Sequence, residues 1–105
     1  MDGPTRVMPT DGEVWVADLG DETRRRVLVL SDPRLHQIAQ RAIVTPMSTE
    51  APNGAPWFVD TGHDEHVNVH LIRSIPVARL LERARVIDHR TMIEIRSVLT
   101  HLLDL

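Results

Sequence analysis

Hydrophobic and polar positions alternate along this chain in short segments separated by turns rich in glycine, proline, asparagine and aspartate. Such segments predict six short strands, at residues 13–19, 25–31, 42–49, 57–60, 67–75 and 83–87. The second segment is an almost unbroken apolar run, which is typical of a strand that is covered on both faces. Pro46 interrupts the third and indicates an edge strand or a bulge, because proline cannot donate to a sheet ladder.

Helical patterns are fewer. Turn residues at 31–33 supply a cap for a short helix from Arg34 to Arg41, and residues 77–81 predict a single helical turn after Pro76. Beyond Asp88, a second capping residue, apolar side chains recur at spacings of three and four, at Met92, Ile95, Val98, Leu99, Leu102 and Leu103. We therefore expect an α+β fold, mostly β: a small half-open barrel of five to six strands with a C-terminal amphipathic helix.

The composition is that of one ordinary soluble domain, with 105 residues, 42% hydrophobic and 26% charged. We divide the chain into a flexible lead-in over residues 1–11, which has no periodic apolar pattern, and a single domain over residues 12–105. Cysteine is absent, which excludes disulfides and thiolate metal sites. With neither a membrane-length apolar run nor a signal-peptide pattern, we expect a cytoplasmic protein that does not associate with membranes.

Three consecutive arginines, Arg24–Arg26, lead directly into the buried second strand. Guanidinium groups held at the end of a rigid strand suit bidentate contacts to phosphate, yet a solvated strand end has the same pattern. The net charge of −3 argues against indiscriminate coating of nucleic acid, but it permits a local basic groove. The residues alone leave both interpretations open.

Four segments, taken in order, resemble the MazF/PemK-type toxins of bacterial toxin–antitoxin pairs. They are residues 12–19 (GEVWVADL), 25–31 (RRVLVLS), 43–49 (IVTPMST) and 67–75 (VNVHLIRSI). The resemblance covers roughly residues 12–105 and includes the closing helix. It implies an SH3-like barrel that forms a homodimer and cleaves single-stranded RNA, in mRNA and possibly tRNA or rRNA, without a metal or other cofactor. It also implies a cognate antitoxin whose tail occupies the RNA groove.

The resemblance assigns two catalytic residues to this sequence: Arg25, at the start of the second strand, and Ser48, where the family has threonine. Because RNA carries its own 2′-hydroxyl nucleophile, such an enzyme has to position the phosphate, stabilise its developing charge and move protons. The expected products are a 2′,3′-cyclic phosphate and a 5′-hydroxyl. Further residues are predicted to bind RNA, namely Arg24, Arg26, Thr49, Asn68, His70 and Arg73.

Histidines are concentrated between His63 and His70. On a continuous strand His66, Asn68 and His70 would share one face, which would suit RNA binding with His70 as an acid or base; a merely polar face is the alternative. The acidic and histidine residues at 63–66 lie in a predicted turn and strand, where their spacing does not converge on a metal. We therefore predict no metal site.

Three departures from the family pattern leave questions open. The loop at Gly20–Thr23 is short, the usual Gln or Asn near Leu71 is missing, and Arg26 stands where relatives often have proline, so the catalytic arginine is uncertain by one position. A CcdB-like gyrase poison is one alternative, but that relative uses a tryptophan near its C-terminus, whereas the tryptophans here are Trp15 and Trp57. A catalytically silent binding module is another.

Overall fold

A computed structural model describes residues 8–20, 23–50 and 55–104. Within them the chain forms seven strands and two α-helices, in the order β1 (Glu13–Asp18), β2 (Arg24–Val29), α1 (Pro33–Ala39), β3 (Arg41–Ser48), β4 (Phe58–Asp60), β5 (His66–Asn68), β6 (Arg73–Pro76), β7 (Leu80–Val86) and α2 (His89–Leu103). Single 3-10 turns cover Val69–Leu71 and Val77–Arg79. The predicted fold class is confirmed, with one strand more than expected in the described part of the chain.

The strands form one antiparallel sheet in the order β4-β5-β3-β2-β1-β7, and β6 also pairs with β3. The long strand β3 therefore has two successive partners along one edge. Val44 pairs with Arg73 of β6, and Met47 pairs with Val67 of β5. The interval from Val44 to Met47 is three residues, whereas the interval between their partners Val67 and Arg73 is six. The three additional residues form the 3-10 turn Val69–Leu71.

This turn corrects two expectations. The predicted continuous strand 67–75 is in fact two strands, and the change of register between them requires the break. His70 lies in the turn, so the expectation that it shares one strand face with His66 and Asn68 was wrong. The buried hydroxyl of Thr45 donates to the carbonyl of Asn68 beside the break, which satisfies a backbone acceptor there.

Two apolar clusters lie on opposite faces of β2. Val27 and Val29 are buried in the first cluster together with Trp15, whereas Leu28 is buried in the second with Ile95 of α2. Successive residues of a strand point to opposite faces, so odd-numbered residues of β2 lie on the side of the first cluster and even-numbered residues on the side of the second. That alternation also decides where the three arginines point.

Helix α2 buries Met92 and Ile95 against the second cluster. Asp88 caps its first turn, because its carboxylate accepts a hydrogen bond from the backbone N–H of Thr91 at 3.2 Å. In the described part of the chain, no helix is both long and apolar enough to span a bilayer.

The described residues nearest the N-terminus lie against the domain. His36 of α1 is fully buried, and its Nδ1 donates to the carbonyl of Pro9 at 2.7 Å, while its Nε2 accepts from the Ser31 hydroxyl at 2.6 Å. A carbonyl can only accept, and this fixes the tautomer. Residues 1–7 lie outside the described part, and the predicted lead-in over residues 1–11 stays a prediction.

Candidate active site

The strand alternation directs Arg25 and Arg26 to opposite sides of β2. Arg25 lies on the same face as Val27, at the mouth of a cleft of about 460 Å³ that we call the strand-end cleft. Its lining combines the ends of β2 and β3: Thr23, Arg24, Arg25, Arg26, Met47, Ser48, Thr49 and Glu65. The two residues predicted to be catalytic therefore line the same cleft.

Strand register explains why they meet. Val27 of β2 pairs with Pro46 of β3, and the same register carried two residues further places Arg25 opposite Ser48. The hydroxyl of Ser48 has two acceptors within reach, the carbonyl of Glu50 at 2.7 Å and the side-chain oxygen of Asn68 at 3.3 Å. Ser48 can thus rotate its proton between partners at little cost, as a donor to an incoming phosphate oxygen would need to do.

Arg25 also borders a second cleft, of about 420 Å³, which we call the sheet-face cleft. Its floor is mainly apolar, and it is lined by Leu19, Arg25, Val27, Val44, Pro46, Leu71 and Arg73. Arg73 of β6 lies at this position because it pairs with Val44 of β3. Two guanidiniums thus border one groove, and Arg25 stands at the junction of the two clefts, an arrangement that suits a polyanion lying along the sheet.

Arg26 makes an internal ion pair. Its Nε and Nη2 donate to the two carboxylate oxygens of Glu65 at 2.7 and 2.8 Å, and Arg85 of β7 donates to the same carboxylate at 3.1 Å. The side chain of Glu65 is only 12% exposed. Burial alone would raise the pKa of Glu65, but the hydrogen bonds from Arg26 and Arg85 outweigh burial and lower it below its ordinary value. Arg26 thus links β2 to the β4–β5 connection.

Comparison with known proteins identifies the family. A sequence profile of the PemK-like, MazF-like toxins of type II toxin–antitoxin systems matches residues 10–103. The chain belongs to this toxin family. The match spans nearly the whole chain and confirms the resemblance seen in the sequence. No curated protein matches this MazF-like toxin significantly.

Solved structures share the fold of this MazF-like toxin. An endoribonuclease from a mycobacterial species is 20% identical, with 94% of each chain covered and a TM-score of 0.81. MazF from Deinococcus radiodurans is 22% identical, with 95% of this chain and 100% of that one covered and a TM-score of 0.82. A mycobacterial endoribonuclease in complex with its cognate antitoxin is 22% identical, with 92% and 96% covered and a TM-score of 0.82.

The other predicted RNA-binding residues surround the clefts of this toxin unevenly. Arg24 and Thr49 are exposed at the rim of the strand-end cleft, and Asn68 reaches it through its contact with Ser48. His70 is exposed on its 3-10 turn, with its ring 5.6 Å from that of Trp57 and 5.7 Å from that of Phe58. His70 therefore lies beyond Asn68 and is not part of the lining of either cleft.

Two residues beside the site were not among the predicted site residues: Glu65, and His66, which the sequence indicated only as part of a polar face with Asn68 and His70. Glu65 had no signal of its own, because its partners Arg26 and Arg85 are distant in sequence and meet it only in the fold. His66 did have a signal: it is two residues from Asn68, and β5 places it directly opposite Ser48.

Within the described ranges, no three histidine or acidic side chains converge in a way that would hold a metal ion. His63 and Asp64 occupy left-handed backbone positions in the β4–β5 turn, with φ of 54° and 58°. The carboxylate of Glu65, which follows them, is engaged by arginines.

Proposed function

We propose that this MazF-like toxin is a metal-independent, sequence-selective endoribonuclease that cleaves single-stranded RNA, leaving a 2′,3′-cyclic phosphate and a 5′-hydroxyl. The observation that carries the proposal is the meeting of Arg25 and Ser48 in the strand-end cleft. Family membership supports it, as do the solved endoribonucleases that share the fold. In many acyl- and phosphoryl-transfer enzymes, most of the rate enhancement comes from stabilising the charge that develops in the transition state. The proposed mechanism relies on the same effect.

Arg25 acts as an electrostatic clamp. Its guanidinium is always charged, so it is a poor base, but it can donate two parallel hydrogen bonds to the oxygens of the reacting phosphate. Ser48 donates a further hydrogen bond when its hydroxyl turns away from the carbonyl of Glu50. Both contacts strengthen as negative charge builds on the phosphorane, which is the condition for accelerating the reaction.

Residues around the clefts bind the rest of the RNA. Arg24 and Arg73 contact flanking phosphates from the two sides of Arg25, while Thr49, Asn68 and His70 contact sugar or base edges beyond Ser48. Contacts to base edges give selectivity for a short motif, because phosphate contacts carry no sequence information. Arg26, which was predicted to bind RNA, contributes through the ion pair with Glu65 that shapes the cleft wall.

The toxin's partners follow from the same clefts. We propose a cytoplasmic homodimer inhibited by a cognate antitoxin whose tail lies in the RNA groove. A solved neighbour bound to its cognate antitoxin supports this pairing at the level of the fold. Guanidinium groups above an apolar floor favour a tail that combines acidic and apolar side chains.

The proposal is tested with purified toxin, total cellular RNA and EDTA, followed by mapping of the new 5′ ends. We expect discrete cuts at a short motif, lost in Arg25→Ala and Ser48→Ala. Arg90→Ala and Ser97→Ala, which remove the same groups from exposed positions on α2, are the matched controls. Intact RNA together with trapped gyrase–DNA complexes would instead identify a gyrase poison, and inactivity in both assays would identify a silent binding module.

A further inference from the structure

Three side chains stand in a row across the β3-β5-β4 part of the sheet. Ser48 of β3 is directly opposite His66 of β5, and His66 is directly opposite Asp60 of β4. Directly opposed residues of antiparallel strands place their side chains on the same face. Since neighbouring strands lie about 4.8 Å apart, His66 is one strand spacing from Ser48 and Asp60 is about twice as far.

The catalytic pair described above contains no group that accepts a proton. Attack by the 2′-hydroxyl requires a base, and neither Arg25, which stays charged, nor the alcohol of Ser48 can serve at neutral pH. Glu65 is the carboxylate in the strand-end cleft, but both of its oxygens accept hydrogen bonds from arginines, and these lower its pKa. The cleft therefore needs a proton acceptor from a neighbouring position.

His66 differs from the buried His36 in that one of its ring nitrogens has no hydrogen-bond partner. Both ring nitrogens of His36 are bonded inside the fold, so that histidine is fixed. His66 is half-buried, and its Nδ1 is buried with no hydrogen-bond partner. Asp60 consequently does not hold Nδ1, and the arrangement with Ser48 is not a hydrogen-bonded triad. A ligand lying over Ser48 would therefore have to meet the ring at the other nitrogen, Nε2.

We propose that His66 is the general base of this toxin, an inference that rests on the proposed ribonuclease function. The imidazole takes the proton from the 2′-hydroxyl as the 2′ oxygen bonds to phosphorus, and the bond from phosphorus to the 5′ oxygen breaks. The 5′ oxygen takes a proton from water, and His66 returns its own proton to water. No water is consumed in this step, and no oxidant or metal is involved.

The charged surroundings of His66 support this role. The acidic Asp60 is directly opposite it on β4, and the neutral Ser48 is directly opposite it on β3. Arg25 lies one strand further along, beyond Ser48, where it holds the phosphate. Histidine is the side chain that changes charge between pH 5 and 8, so it can accept and release a proton in each turnover.

The test compares His66→Gln, His70→Gln and the exposed helix control His89→Gln, on a short RNA carrying the mapped motif. We expect His66→Gln to lower kcat about 10²–10⁴-fold. We expect the wild-type rate to rise with pH between about 5 and 8, and His66→Gln should lose this rise. Binding of the same RNA with a 2′-O-methyl group at the cleaved nucleotide should stay unchanged, and imidazole should partly restore a His66→Ala variant. His70→Gln should keep the pH-dependent rise, and His89→Gln should match wild type.

Two results would overturn the inference while leaving the ribonuclease proposal intact. One is a His66→Gln enzyme with the wild-type rate and pH profile. The other is loss of the pH-dependent rise in His70→Gln, which would place the base on the 3-10 turn. A wild-type toxin that cleaves no RNA would instead refute both proposals together.

Discussion

Arg25 and Arg26 are neighbours in the chain and both line the strand-end cleft, yet their side chains lie on opposite faces of β2 and make different contacts. Arg25 lies at the junction of the two clefts. Arg26 faces the other way and is bound through both carboxylate oxygens to Glu65, which also binds Arg85. The Arg25 guanidinium borders both clefts, while that of Arg26 connects β2 to distant segments of the chain.

The difference shows that the alternation of side chains along β2, rather than local charge, determines which face each of the two arginines lies on. Val27 and Leu28 enter different apolar clusters, so the direction of every residue in β2 is fixed by burial. If β2 shifted by one residue against its neighbours, Arg25 and Arg26 would exchange faces, but Val27, Leu28 and Val29 would also leave the apolar clusters in which they are buried. The proposed choice of Arg25 over Arg26 as the catalytic arginine, open by one position in the sequence, therefore rests on how Val27, Leu28 and Val29 are buried.

The largest effect is expected for removal of Arg25. Arg25→Ala should lower RNA cleavage about 10²–10³-fold, because it removes the proposed hydrogen-bond donors to the reacting phosphate. Its melting temperature should stay close to that of wild type, as measured by circular dichroism. Arg26→Ala should show the reverse pattern: a lower melting temperature with cleavage much closer to wild type. If Arg26→Ala abolishes cleavage in a folded protein while Arg25→Ala is active, the assignment is off by one residue.

Removal of Glu65 should produce the next largest effect. Glu65→Ala leaves Arg26 and Arg85 without their shared carboxylate, and we expect a loss of about 2 kcal/mol in the free energy of unfolding, because the pair is only partly buried. Urea denaturation measures this loss. Glu94→Ala, which removes an exposed carboxylate from α2, is the control and should change stability little. Equal stability of the two variants would contradict a structural role for the ion pair.

Acid should weaken the ion pair between Arg26 and Glu65 before it affects the geometry around Arg25. The pKa of Glu65 is lowered in the folded state, so its contribution to stability is present above the ordinary glutamate value of 4.5 and is lost as pH falls through the folded pKa. Below pH 4.5, the stability of Glu65→Gln should therefore fall less steeply than that of wild type. A residual slope should remain from Glu13, whose pKa is also lowered: burial raises it, but bonds from Thr10, Arg83 and Trp15 outweigh that effect.

Arg24 should give the smallest effect. Its side chain is exposed at the cleft rim, where we propose that it contacts a flanking phosphate, so Arg24→Ala should weaken RNA binding only a few-fold. The slope of log affinity against log salt should decrease by about 0.7 for the one lost single-strand phosphate contact. An unchanged slope, measured by fluorescence anisotropy, would place Arg24 outside the RNA path.

Much of the fold followed from periodicity. Strand β2 was predictable because a strand buried on both faces needs a continuous apolar run. The closing helix was predictable because a helix buried on one face needs apolar residues at spacings of three and four. The break at residues 69–71 was not predictable, because it arises from a change of partner along β3 rather than from local residues. For the same reason, β7 begins earlier, at Leu80: pairing with β1 extends the strand.

The candidate site residues were predicted only through resemblance to a family, and their roles stay predictions. Nothing near Ser48 distinguishes it from any serine at a strand end, and only the register of β2 on β3 brings it into line with Arg25. The ion pairs of Glu65 with Arg26 and Arg85 could not be predicted, because no sequence pattern links an acidic residue in a turn to arginines on two other strands.

The pairing of β1 with β7 has a consequence for synthesis. Glu13 lies beside Val86, so the sheet joins segments that are far apart in the sequence. Closing so long a loop is slow, and little rewards it until both segments exist. A nascent chain therefore cannot pair β1 with β7 until β7 has been made, and truncation before β7 would leave β1 as an edge strand with one unpaired side. Unpaired strand edges are templates for association with other chains, so such a product would be prone to aggregate.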